Sequence, residues 1–108
     1  MNETPLHKAA AYGSRSDVES LLNSGSNIEA KDDWSATPLH YAASQGNIPV
    51  VRLLLERGAA VNAKMKNGET PLCQAQNVLR RRASNGVVLS SSEHETVSEI
   101  LRSRGGFE

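Results

Sequence analysis

Cysteine is nearly absent from this chain: Cys73 is alone among 108 residues. No internal disulfide can form, which excludes a small scaffold stapled by bridges. Charge of one sign is absent too. Twelve basic residues face twelve acidic ones, for a formal net charge of zero. That balance gives no electrostatic reason to expect nucleic acid or an anionic membrane as partner. No apolar run approaches the roughly 20 residues that cross a bilayer, and the start, Met1-Asn2-Glu3-Thr4-Pro5-Leu6, lacks the basic and apolar regions of a signal peptide. Together these absences predict a soluble, cytoplasmic protein of a reducing compartment. The length predicts one small domain.

What the sequence does have is a repeat. Thr-Pro-Leu occurs at Thr4-Pro5-Leu6, Thr37-Pro38-Leu39 and Thr70-Pro71-Leu72, a period of 33 residues. In the unit from Thr37, threonine suits an N-cap and Pro38 the first helical turn. Leu39, Ala42 and Ala43 then share one helical face, and Gly46-Asn47 stops the helix. A second helix carries Val51, Leu54 and Leu55 and closes at Gly58. Ala59-Ala60-Val61-Asn62-Ala63 reads as extended, and Lys66-Asn67-Gly68 as a turn. The first unit repeats the pattern with Leu6, Ala9 and Ala10, then Val18, Leu21 and Leu22, with Ser16 and Glu19 as the expected capping box of its second helix.

The third unit departs from this pattern. His gives way to Cys73, and the apolar triplet Val97, Ile100 and Leu101 arrives 13 or 14 residues late, depending on whether the triplet or Gly105 is aligned. The spacing of Leu72, Ala75, Leu79 and Ala83 predicts that the first helix runs on through Arg80-Arg81-Arg82 to Asn85-Gly86. Ser92 with Glu95 offers a capping box for the last helix. Ser98, Glu99, Arg102 and Arg104 are expected on its polar outer face, as a terminal capping unit requires.

The period with Thr-Pro-Leu-His-x-Ala, complete at Thr4–Ala9 and Thr37–Ala42, resembles the ankyrin-repeat family. The resemblance implies an all-α solenoid of about three helix-turn-helix units joined by hairpin-like loops, with an insertion in the last. The single domain would span residues 1–108, its repeats lying at about 1–36, 37–69 and 70–108 with the insertion near 78–91. It implies a protein partner, bound through hairpin tips and the concave face of the first helices. Carried over, the binding positions are Lys8, Ala11 and Tyr12 in the first repeat. The next stripe comprises Asp33, Trp34, Ala36, Tyr41, Ser44 and Gln45, and the last comprises Lys66, Asn67, Glu69, Gln74, Asn77 and Val78. A monomeric, non-catalytic adaptor or inhibitor without cofactor or metal follows. The alternatives are a structural segment that self-associates or stacks on further repeats, and, remotely, an enzyme using Cys73.

Trp34 is the only tryptophan and lies in the polar loop Lys31-Asp32-Asp33-Trp34-Ser35; Tyr12 and Tyr41 are the only tyrosines. Such aromatics are enriched at binding hot spots, although a loop tryptophan can equally pack on its own hairpin. His7, His40 and Cys73 fall one per layer. Layers of helices stand about 8–10 Å apart, too far for ligands that must sit about 2.0–2.3 Å from one zinc ion. The expected role of the histidines is hydrogen bonding to loop backbone, and that of Cys73 a small buried apolar residue. Arg80-Arg81-Arg82-Ala83-Ser84 reads as a solvated helix end or as a contact for an acidic partner, and Arg81-Arg82-Ala83-Ser84 within it as a modification site at Ser84. Asn62 occupies the slot that some family members hydroxylate, and its expected role is turn hydrogen bonding.

Overall fold

Each unit opens with a threonine followed by proline. In the structure, a computed structural model that describes residues 4–84 and 92–106, every such pair starts a helix. Among the described residues there are six helices and no strand. They are α1 (Pro5–Tyr12), α2 (Arg15–Asn23), α3 (Pro38–Gln45), α4 (Ile48–Glu56), α5 (Pro71–Ser84) and α6 (Ser92–Ser103). At α1 the Thr4 N–H donates to His7 Nδ1 at 3.1 Å while Thr4 Oγ1 accepts the His7 N–H at 3.3 Å. At α3 the Thr37 N–H donates to His40 Nδ1 at 3.1 Å. At α5 only half of this survives: the Cys73 N–H donates to Thr70 Oγ1 at 3.3 Å. The helix ends follow expectation as well. Gly46 ends α3 at φ 68°, the left-handed conformation that glycine adopts without a Cβ penalty.

The helices form two rows. Along the inner row α1 packs on α3 and α3 on α5; along the outer row α2 packs on α4 and α4 on α6. Equivalent positions make one continuous core, with Leu6, Leu39 and Leu72 in the inner row and Val18, Val51 and Val97 in the outer. Ala10, Ala42, Ala43 and Ala75 are all fully buried, and their size lets neighbouring helices approach closely. Burial is deepest in the middle layer. Leu54 is completely covered, whereas its counterparts Leu21 and Ile100 are only partly buried, because each end layer has a neighbour on one side only.

Polar side chains bind the layers together. His7 Nε2 donates to the Ala36 carbonyl at 2.8 Å, and His40 Nε2 to the Glu69 carbonyl at 3.0 Å. Since Nδ1 of each ring accepts a threonine N–H, Nε2 carries the hydrogen that reaches the loop carbonyl. Asn47 Nδ2 donates to the Ala10 and Gly13 carbonyls, each at 3.0 Å, satisfying orphan groups at the end of α1. In the next layer His94 takes this task, its Nε2 donating to the Ser44 carbonyl at the end of α3 at 2.8 Å.

Three local expectations are corrected. The capping box of α2 is Ser14 with Asp17, not Ser16 with Glu19: the Ser14 N–H donates to Asp17 Oδ2 and the Asp17 N–H to Ser14 Oγ, both at 3.2 Å. Both pairings fit the sequence. The earlier one lets the helix begin at Arg15 and seats Val18 in the core within a formed turn. Ser92 stands at the start of α6, and its side chain, on which the expected capping box with Glu95 depends, lies outside the described part of the structure. Ser98 is buried rather than on the outer face, because its Oγ donates to the His94 carbonyl one turn back at 2.9 Å, a bond that satisfies the hydroxyl without water. Residues 59–63 are not extended throughout. A turn closes there with the Ala63 N–H on the Ala60 carbonyl at 3.3 Å. Within it Asn62 is half-buried and its Nδ2 donates to the Gly105 carbonyl at 3.0 Å.

Candidate functional site

The loop between α2 and α3 is built around one carboxylate. The Asp32 N–H donates to the Ala36 carbonyl at 3.1 Å, closing the hairpin. Asp32 Oδ1 accepts the N–H groups of Trp34 and Ala36, both at 2.9 Å. Tyr41, one turn into α3, donates its hydroxyl to Asp32 Oδ2 at 2.5 Å. The Tyr41 ring in turn meets the His7 ring edge-on, with centroids 4.8 Å apart. Burial alone would raise the Asp32 pKa. The hydrogen bonds from Tyr41, Ala36 and Trp34 outweigh that, and its carboxyl stays below the usual aspartate value. Asp32 is thus a buried, ionised group.

This turn sets Trp34 at the crest of the hairpin. Ser35 follows it in the left-handed region at φ 63°, and the Trp34 carbonyl accepts the Lys66 N–H of the next hairpin at 3.0 Å. One layer on, Met65 replaces Asp32 and Gln74 replaces Tyr41. There Gln74 Nε2 points to Met65 Sδ at 3.3 Å and donates to Glu69 Oε2. The two hairpins therefore keep one geometry with different chemistry.

Between the hairpins and the inner row of helices lies a groove of about 250 Å³. Tyr12, Trp34 and Tyr41 wall it, and Ser44, Gln45 and Gln74 supply polar groups along it. His40 lines it as well; burial pushes its pKa below the ordinary value, with the Glu69 and Ala63 carbonyls opposing. Tyr12 is 79% exposed and Trp34 59%, and these are the exposed large hydrophobic residues among those described.

The sequence-derived positions thus divide. Tyr12, Trp34, Tyr41, Ser44, Gln45 and Gln74 meet in the groove. Ala11 and Ala36 also line it but are buried at 7% and 4% exposure, so they shape its floor rather than offer a free side chain. Lys8, Asp33, Lys66 and Asn67 are exposed outside it, and Glu69 and Asn77 are half-buried outside it. Ser84 ends α5; its side chain, those of Val78 and Arg80–Arg82, and residues 85–91 of the expected insertion lie outside the described part of the structure. Cys73 is half-buried rather than buried, because α5 ends the inner row and nothing described covers its far side as α5 covers α3.

Sequence reasoning missed Asp32, His40 and Met65 as groove residues; His40 was expected only to bond loop backbone. Asp32 left a signal, since an aspartate whose side chain can bond backbone two residues on marks a tight turn. Met65 left none. As to metal, no group of three or more potential ligands gathers among the described residues, and both nitrogens of His7 and of His40 are engaged in the bonds given above.

A search of curated proteins matches none to this chain. A family model of ankyrin repeats, in three copies, matches residues 6–81. That span runs from the start of α1 into α5 and contains both histidine-stapled hairpins and the whole groove. The chain belongs to the ankyrin-repeat family.

Proposed function

We propose that this chain is a monomeric interaction module that holds a protein partner in the groove between its hairpins and inner helices, acting by occupation as an adaptor or inhibitor. Ankyrin repeats are generally protein-interaction modules and typically non-catalytic. The observation that carries the reading is the exposure of Tyr12 and Trp34 in the lining of one groove. Both are large aromatics that stay mostly exposed, and exposed aromatic residues lining a concave patch are the usual anchors of an interface.

The rival within the class is a segment that stacks end to end on further repeats through the partly buried Leu21 and Ile100 of its end layers. The two large exposed hydrophobics among the described residues line the groove, which favours the groove as the contact surface. Cys73, the residue an enzyme would use, lies outside the residues that line the groove.

The test is affinity capture from a cell lysate with the wild-type chain beside a Tyr12→Ala, Trp34→Ala variant. Folding is checked by circular dichroism and mass by analytical ultracentrifugation. A protein retained by the wild type and lost by the folded variant is the expected result. Equal retention by both would move the site elsewhere, and a concentration-dependent mass would favour self-association.

A further inference from the structure

The groove has an unusual charge arrangement. Among the described residues that line it, Asp32 alone carries a formal charge. No lysine or arginine lines it; Lys8 and Lys66 stand outside, exposed to solvent. Asp32 accepts three hydrogen bonds, two from backbone N–H groups and one from the Tyr41 hydroxyl, and no described cation forms an ion pair with it. Hydrogen bonds of this kind stabilise a carboxylate without cancelling its charge. The ring of His40 is held neutral by the bonds on both its nitrogens. Tyr12, Trp34 and Tyr41 also line it, and an aromatic ring draws a cation to its face, the negative side of its quadrupole.

From this complementarity we infer that the groove takes an arginine side chain presented by the partner, seated between the faces of Tyr12 and Trp34 above the Asp32 carboxylate. The inference rests on the proposed role of the groove in holding a protein. A guanidinium suits the site better than an ammonium. It is planar, stacks on aromatic faces and sheds water at lower cost. Its five N–H donors match the acceptors at hand, which are the side-chain oxygens of Ser44, Gln45 and Gln74. The Asp32 oxygens are already engaged, so the carboxylate attracts the guanidinium through its field at short range rather than by a direct two-bond pair. An acidic or purely aliphatic side chain would meet an uncompensated negative charge or leave the polar rim unpaired.

The experiment titrates the isotopically labelled full chain with acetyl-Gly-Arg-Gly amide, with the citrulline counterpart and with the lysine counterpart, followed by NMR. Citrulline keeps the shape and removes the charge. The arginine peptide should move the Trp34 indole N–H and the amides of Trp34, Tyr41 and Ser44, and bind at least about fivefold more tightly than the citrulline peptide. Tyr12→Ala, at a position exposed enough to leave the fold intact, should weaken arginine binding about threefold while amides outside the groove stay in place. Equal binding of arginine and citrulline peptides, tighter binding of lysine, or signals moving only outside the groove would overturn the inference. So would no response to any of the three. If capture of a protein still depends on Tyr12 and Trp34 in those cases, the groove remains the interaction site and only the charged occupant is lost.

Discussion

His40 is a neutral imidazole built into the middle of the helix stack, and acidification should loosen it. Its Nδ1 accepts the Thr37 N–H at 3.1 Å and lies 2.9 Å from the Thr37 hydroxyl; its Nε2 donates to the Glu69 carbonyl at 3.0 Å. A second proton would have to sit on Nδ1, facing a backbone N–H. Burial also disfavours the imidazolium, and although the Glu69 and Ala63 carbonyls and the charges of Asp32 and Glu69 favour it, the pKa lies below the ordinary 6.5. The unfolded chain therefore binds this proton as pH falls below 6.5, while the folded chain resists it. Stability should be full above pH 6.5, fall as pH drops through the window between 6.5 and the folded value, and level off beneath that. For one linked proton the slope cannot exceed about 1.4 kcal/mol per pH unit. A domain of this size has about 0.05–0.15 kcal/mol of stability per residue, so a loss well short of that limit is measurable. The melting temperature should drop by about 4–8 °C for each kcal/mol lost. Urea unfolding at pH 7.5, 6.5 and 5.5, run on the wild type and on His40→Gln, measures it. Glutamine keeps donor and acceptor but cannot titrate, so the difference in slope between the two proteins is the share of His40. A wild-type stability that is flat over this range, or an equal slope in both proteins, would refute the reasoning.

Three further perturbations test other parts of the structure. Leu54→Ala removes a side chain with no exposed surface and should cost about 2–5 kcal/mol, read as a lower urea midpoint with an unchanged slope. Ser35→Gly relieves a left-handed serine at φ 63°, where the equivalent Gly68 sits at 84°; after the entropy cost of glycine it should stabilise by up to about 1 kcal/mol in thermal unfolding. Tyr41→Phe deletes the hydroxyl bonded to Asp32 Oδ2 and should cost about 1.5–3 kcal/mol, since that bond is to a charged group. It should also shrink the stability lost below pH 3.8, because the Asp32 pKa is then held down less firmly.

The scaffold was legible because its information is local and repeated. Threonine, proline, leucine and histidine within four positions define a helix start with its cap, and the 33-residue period shows three such starts. What escaped notice was of two kinds. One was a choice between overlapping local signals, as at Ser14–Asp17 and Ser16–Glu19, where core placement of Val18 decides. The other was long-range. His94 bonds the Ser44 carbonyl 50 residues away, and no periodicity within α6 announces such a partner. Asp32 escaped for the opposite reason: in a polar loop a carboxylate reads as solvated, and only the convergence of two backbone N–H groups and Tyr41 shows it to be buried. The place of Trp34 was open on sequence alone, and its 59% exposure decides against full packing on its own hairpin.

A physical division follows between the parts of the surface that can vary and those that cannot. The staples of the stack end on backbone carbonyls: Ala36 and Glu69 for the histidines, Ala10 and Gly13 for Asn47, Ser44 for His94. Every residue has a carbonyl, so the side chains at those positions are released from any duty to hold the layers together. Tyr12 has no partner requirement of that kind and is 79% exposed, so changing it should alter recognition with little effect on folding. Tyr41 is different. Its bond to Asp32 joins side chain to side chain across the base of the hairpin that carries Trp34. A change there alters the groove's charge, its shape and the stability of the hairpin together, which makes Tyr41 the position where the demands of the fold and of binding meet.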